Sequence, residues 1–297
     1  MIDVCLLGCG GVMPLPSRAL TSLFVRYNGK AILVDCGEGT QTALRKAEVK
    51  YSQIDVILFT HLHADHISGI IGLLLTFGLE GRTEPLRIYG PEGITKAIEC
   101  LTVIAPNLPF EIICTELLEE QVGFEEIGLY VNAFKLIHNV ECFGYRFELP
   151  RLPKFDAEKA KKLEIPVKFW SILQSGESVG GFSPLDVLGE ARHGLSLLYA
   201  TDTRPTDALE FFGKGADLMV LEGMYGDTEN QCKAGAGYHL TMREAAEIAR
   251  AAGARELWLT HYSPSVADPM IYESEIKSIF GNTVMGRDCL FKKLKFD

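Results

Sequence analysis

The chain is expected to fold as a single α/β domain, on three observations. Apolar strand-like runs alternate with helix-like ones along most of its 297 residues. Metal-competent side chains recur at the C-terminal ends of those apolar runs, where open α/β sheets place their sites. One strand-to-helix junction, Thr60-His61-Leu62-His63-Ala64-Asp65-His66, gathers three of the chain's seven histidines and an aspartate into six positions. A chain of this length buries a large core. Its sequence shows no internal repeat, low-complexity tract or interdomain linker, so residues 1–297 read as one domain with a surface insertion near 150–193.

The elements follow in order. Ile2 to Leu7 and Leu23 to Tyr27 read as strands, and Lys30 to Asp35 as a third. Asn28-Gly29 between the last two marks a hairpin, because a type I′ turn needs φ > 0 at both central residues. The stretch Gly8-Cys9-Gly10-Gly11-Val12-Met13-Pro14 is followed by no helix. That weakens a phosphate-binding fingerprint and favours glycines that let backbone approach a site closely. Gly37-Glu38-Gly39-Thr40-Gln41 opens a helix to about Val49, Ile54 to Phe59 is a buried strand, and Gly69 to Leu75 a buried helix. Pro91 stands where a helix would start, leading Gly93 to Ala105. Residues 109 to 149 read as antiparallel strands, and 150 to 193 as irregular. A strand (Leu195 to Ala200), a short helix, a strand (Asp217 to Leu221), a helix (Thr241 to Ala252) and a strand (Glu256 to Thr260) complete the pattern.

Hydrophobic residues at 47% and charged residues at 23% are those of a soluble globular protein. No apolar stretch reaches bilayer-spanning length. The start Met1-Ile2-Asp3-Val4 has no basic region, which argues against a signal peptide. Eight scattered cysteines without a C-x-x-C pair read as reduced core residues of a cytoplasmic protein. A net charge of −10 argues against a general nucleic-acid binder. It leaves room for a local basic patch, and Arg151, Lys154, Lys159, Lys161, Lys162 and Lys168 form one against Asp156, Glu158 and Glu164. The plain meaning of such a run is a solvated helix face.

Histidine offers imidazole nitrogen and aspartate anionic oxygen, and both suit zinc. One turn offers too few ligands to close a site, so the other strand ends matter. His138 follows Tyr130 to Ile137, Asp202 follows Leu197 to Thr201, and His261 follows Leu257 to Thr260. With His61, His63, Asp65 and His66 they make seven ligands. A tetrahedral zinc takes about four, so seven imply two ions sharing one ligand. Asp202 is the candidate bridge, since a carboxylate has two oxygens and this one is remote in sequence from both halves. Two such ions suit hydrolysis of phosphate esters.

On these residues the chain resembles the metallo-β-lactamase superfamily and, within it, the ribonuclease Z family, which trims the 3′ end of precursor tRNA. The resemblance covers nearly the whole chain. It rests on Leu7-Gly8-Cys9-Gly10, Asp35-Cys36-Gly37-Glu38-Gly39-Thr40-Gln41, Thr60 to His66, Tyr89-Gly90-Pro91, Asp202-Thr203-Arg204-Pro205 and Leu259-Thr260-His261. It implies an αββα sandwich, two mixed β-sheets flanked by helices, with two zinc ions at its edge. One would sit on His61, His63 and His138, the other on Asp65, His66 and His261, with Asp202 bridging. Asp65 counts with the catalytic group as well. The resemblance gives Glu222 and His239 a joint role, a carboxylate orienting an imidazole that protonates the leaving 3′-oxygen; the plain alternative is a rim acid and a surface histidine. It places 150–193 at the family's tRNA-gripping arm, although Ile165-Pro166-Val167-Lys168-Phe169 lacks the arm's usual glycine before proline. It also implies a homodimer.

Three other functions compete. A general phosphodiesterase on small or cyclic nucleotide esters would use the same dimetal site. A non-catalytic binding subunit would be expected to have lost ligands, and none is missing. A redox di-iron protein would carry an acid at the cluster's second histidine, where this chain has His63.

Overall fold

Residues 1–226 and 231–296 are described by a computed structural model. The larger of two compact units comprises Met1–Glu148 and Ser196–Lys295, and the smaller comprises Leu149–Leu195 with Phe296.

In the larger unit, β1 (Ile2–Gly8), β2 (Ser22–Tyr27), β3 (Lys30–Val34), β4 (Ile54–Leu58), β5 (Leu86–Pro91) and β6 (Ile112–Leu117) form a first sheet in that order. A second sheet runs from β7 (Gln121–Glu126) through β8 (Leu129–Lys135), β9 (Phe143–Arg151), β10 (Arg192–Ala200), β11 (Leu218–Glu222) and β12 (Leu257–Thr260) to β13 (Thr283–Met285). The last strand, β14 (Leu290–Leu294), returns to the first sheet beside β1. Each sheet is mixed: β1–β3 and β14 are antiparallel and β3–β6 parallel, while β7–β9 are antiparallel and β10–β13 parallel. This is the expected α/β architecture of two mixed sheets with helices.

Largely apolar runs make the central strands β1, β3, β11 and β12, because both faces of the sheet are covered there. Every residue of β1 is buried. One face carries the cross-strand row Cys5, Phe24, Leu33, Ile57 and Ile88. That row packs on Ala43 and Leu44 of helix Thr40–Lys46, Leu73, Leu74 and Phe77 of helix Ile70–Leu79, and Ile94 and Ile98 of helix Ile94–Thr102. Asn28 and Gly29 take φ 49° and 81°, as the expected hairpin requires.

Three expectations change. β6 pairs with β5 in parallel, so the antiparallel run begins only at β7. Pro91 ends β5, and the next helix is entered through Gly93 at φ 92°. Two of the eight cysteines, Cys100 and Cys232, are exposed; all eight are free thiols.

The smaller unit is more ordered than its composition suggests. Asp156 caps helix Ala157–Lys162 by accepting from Glu158 N (3.1 Å) and Lys159 N (3.0 Å). A second helix, Trp170–Gln174, is tied down by Trp170 Nε1 donating to Ile165 O at 3.0 Å. Ala160, Ile165, Leu173 and Val187 form its buried core, flanked by Phe155, Phe169, Trp170, Val179 and Phe182. Lys154, Lys159, Lys161, Lys162 and Lys168 are exposed. Lys161 pairs with Glu158, and the Arg151 guanidinium lies over the Phe296 ring. Among the described residues no helix is long and apolar enough to cross a membrane.

Candidate metal centre

Parallel register brings the strand ends together. Ala200 pairs with Leu221 and Glu222 with Thr260, so Asp202, Glu222 and His261 emerge side by side from β10, β11 and β12. In the first sheet Val34 pairs with Leu58, which sets Asp35 beside Thr60 and the histidine-rich turn. Asp35, Asp202 and His261 leave their strands at φ 58°, 57° and 55°. That left-handed backbone costs a non-glycine residue about 1–3 kcal/mol, and such strain concentrates at functional sites. Here it swings three polar side chains toward one point. The glycine loop makes its expected close approach at Gly11, where a Cβ would lie 2.7 Å from the His261 ring.

All seven sequence-predicted ligands meet there. His61, His63 and His138 form one group with ligand atoms within 4.8 Å of one another, and Asp65, His66 and His261 form another. His63 Nδ1 and His138 Nε2 are 3.4 Å apart in the first, and His66 Nε2 and His261 Nε2 are 3.2 Å apart in the second. Asp202 stands between them. Its Oδ2 is 3.2 Å from His66 Nε2 and 3.3 Å from His261 Nε2, and its Oδ1 is 4.0 Å from His138 Nε2. His239 and Glu222 adjoin this set. His239 Nδ1 is 2.9 Å from Glu222 Oε2, whose partner Oε1 accepts from the amides of Thr203 (2.7 Å) and Leu240 (3.1 Å). Glu222 Oε2 also lies 3.4 Å from His261 Nδ1, so one carboxylate serves two imidazoles. His193, read as a surface residue, is exposed.

Two positions enter the sequence reading only within family motifs, with no role of their own. Asp35 is fully buried, accepts from Thr60 N at 2.9 Å, and has Oδ2 2.9 Å from His66 Nδ1. On a neutral His66 this contact would hold the proton at Nδ1 and leave Nε2 facing inward, the usual service of a carboxylate behind a ligating histidine. Its signal was present: an acid directly after an apolar strand, the criterion that selected Asp202. Arg204 is the other. It pairs with Glu244 at 2.5 Å and also donates to the His239 carbonyl, anchoring that residue's backbone.

Electrostatics favour a cation. Burial pushes His61 and His138 below the ordinary imidazole value. Burial also works against charge on His66, but Asp202 and Asp35 outweigh it and lift that ring to about 10. His261 is raised in the same way by Asp202, Asp65 and Glu222. Asp202 and Asp65 resist burial through His261 and His66 and stay below the usual carboxylate range. Protons on the imidazoles neutralise the acids, and a cation entering the cluster displaces them, because a ligating imidazole is neutral. His61 Nε2 is buried and without a hydrogen-bond partner among the described residues, and Asp202 Oδ2, though 3.2 Å and 3.3 Å from two imidazole nitrogens, has none of hydrogen-bond geometry. Buried polar atoms are rarely left so. Stranded lone pairs at the centre of an imidazole–carboxylate cluster fit a divalent metal ion.

Known proteins resemble this chain in sequence and in fold. The family described as Anti-Pycsar protein Apyc1 matches residues 2–105, and the Beta-lactamase superfamily domain matches 184–262. The crystal structure of the human tRNase Z short form superposes with a TM-score of 0.74 at 24% identity, covering 99% of this chain and 100% of that one. The two-sheet architecture is thus the metallo-β-lactamase fold. The ribonuclease Z of Clostridium kluyveri is 48% identical over 301 residues, covering 100% of this chain and 99% of that protein. That of Agathobacter rectalis is 47% identical with the same coverage. Identity at nearly half of all positions, running from end to end, places this chain in the ribonuclease Z family.

Proposed function

We propose that the chain is a zinc-dependent endoribonuclease that removes the 3′ trailer of precursor tRNA. The observation that carries this is the convergence of two ligand groups on Asp202, with the Glu222–His239 pair against them. Membership of the ribonuclease Z family supports a hydrolase acting on RNA, and the tRNase name of its structural neighbour supports tRNA.

His61, His63 and His138 would hold one zinc ion and Asp65, His66 and His261 a second, with Asp202 shared. Bound there, the pair would neutralise charge growing on the phosphoryl oxygens and lower the pKa of water toward 7. Asp65, which His261 and His66 hold below the usual carboxylate range in the metal-free cluster, would meet the ions already ionised. His239 supplies the proton. Burial opposes its charged form, but Glu222 outweighs burial and raises its pKa, which favours the protonated ring. With Nδ1 engaged by Glu222, Nε2 is the nitrogen left to deliver a proton to the departing 3′-oxygen.

The smaller unit is the arm of this enzyme, an insertion in one catalytic domain. Lys154, Lys159, Lys161, Lys162 and Lys168, with Arg151 at its base, contact tRNA phosphates. The working form is a cytoplasmic homodimer that engages no membrane.

The test compares kcat/KM on a precursor tRNA and on bis(p-nitrophenyl) phosphate over a salt series. Phosphate contacts release counterions, with a slope of roughly −0.7 to −0.9 per contact in log–log form. We expect preference for the tRNA and a salt dependence confined to it. Equal salt-insensitive rates would favour a small-diester phosphodiesterase.

A further inference from the structure

The glycine loop between β1 and β2 holds a residue in a conformation its side chain disfavours. Met13 N donates to Gly11 O at 2.8 Å and closes a three-residue turn about Val12, which takes φ 70°. A three-residue turn of this hand is rare and strained, and a β-branched residue at positive φ is an outlier. Neighbouring bonds impose it. Gly10 N donates to Ala19 O (2.9 Å), Gly11 N to Tyr262 O (3.0 Å) and Tyr262 N to Cys9 O (2.9 Å). The turn aims Val12 N at the site, where it donates to Asp65 Oδ2 at 2.7 Å.

The amide accounts for the turn but not for the valine. Glycine would present the same N–H without strain. Burial does not offset the strain either, since Val12 is 58% exposed. Met13 beside it is 53% exposed, so two adjacent apolar side chains face solvent, one of them on the residue whose amide binds a candidate metal ligand. Across the loop cluster Tyr238, at φ 61° and 42% exposed, holds His138 Nδ1 through its carbonyl at 3.2 Å. A polar centre with an apolar lip suits a ligand that presents a phosphate flanked by bases. Unpaired nucleotides offer that combination, with base faces free to pack on apolar and aromatic side chains.

We propose that Val12 contacts the substrate. Its side chain, with Met13, packs on the unpaired nucleotide adjoining the scissile phosphate, while its amide holds Asp65. The contact rests on the RNA-cleaving reading above.

The test measures Val12→Gly and Val12→Ala on precursor tRNA, together with metal content and apoprotein melting temperature. Both variants should raise KM by about tenfold, the effect of losing two methyl contacts, with a smaller change in kcat. Val12→Gly should keep its metal and melt no lower than wild type, because glycine takes φ 70° freely. An unchanged KM in both variants overturns the contact. So does loss of metal from Val12→Gly, which would make the residue a support for Asp65 alone. If the wild-type protein leaves precursor tRNA intact, the RNA reading fails and the contact fails with it; if wild type cleaves and the variants match it, only the contact fails.

Discussion

Replacing Asp202 by alanine should empty or loosen both metal positions and lower kcat/KM by ~10³-fold or more, the scale on which loss of one preorganised electrostatic group is felt. The reason is position. Asp202 Oδ2 lies within 3.3 Å of His66 and His261, and Oδ1 faces His138 of the other group. Removing His63 subtracts a ligand from one group only, whereas removing Asp202 subtracts from both. The carboxylate also stabilises charge on two buried rings, and breaking such a buried pair typically costs ~3–5 kcal/mol. The melting temperature of the metal-free variant should therefore fall too. Metal analysis by mass spectrometry checks the claim: two ions per chain in wild type and fewer than one tightly held in Asp202→Ala. A single ion in wild type, retained by the variant, would exclude the shared ligand.

His239→Ala should slow precursor tRNA cleavage by ~10²–10⁴-fold, the usual contribution of a general acid, and leave metal content unchanged. A ribose 3′-oxygen departs poorly without a proton, while nitrophenolate needs none, so bis(p-nitrophenyl) phosphate hydrolysis should suffer far less. Glu222 keeps the Thr203 and Leu240 amides when the ring is gone, which protects the buried carboxylate. Glu222→Gln is a less selective change. Glu222 Oε2 faces His261 as well as His239, so altering it disturbs a metal ligand and a proton donor together. Equal loss on both substrates in His239→Ala, with loss of metal, would make His239 a ligand instead.

The candidate ligand cluster was legible in the sequence because β4, β10 and β12 are parallel strands whose C-terminal ends come into register, while His138 arrives from the antiparallel part of the second sheet. His138, Asp202 and His261 each follow an apolar run, and that alone brought them to the cluster around His61 to His66. Asp35 obeys the same rule, but its place behind His66 shows only in the fold, where the two come within 2.9 Å. Nothing in Gly11-Val12-Met13 announces a strained turn, which is imposed by bonds to Ala19 and, far along the chain, to Tyr262. Strand partners were also out of reach. β6 alternates half-buried and exposed side chains like a hairpin strand, yet pairs in parallel with β5. The segment after β9 looked irregular because helices of six and five residues are too short to show a 3.6-residue period.

The most direct test of the central claim maps the ends made when the zinc-loaded protein meets precursor tRNA. Attack by water with expulsion of a protonated 3′-oxygen leaves a 3′-hydroxyl on the tRNA and a 5′-phosphate on the released trailer. The account predicts that single pair of ends at the 3′ boundary of the acceptor stem, lost in His239→Ala and Asp202→Ala. Intact RNA, or a 2′,3′-cyclic phosphate from attack by the neighbouring hydroxyl, would contradict it.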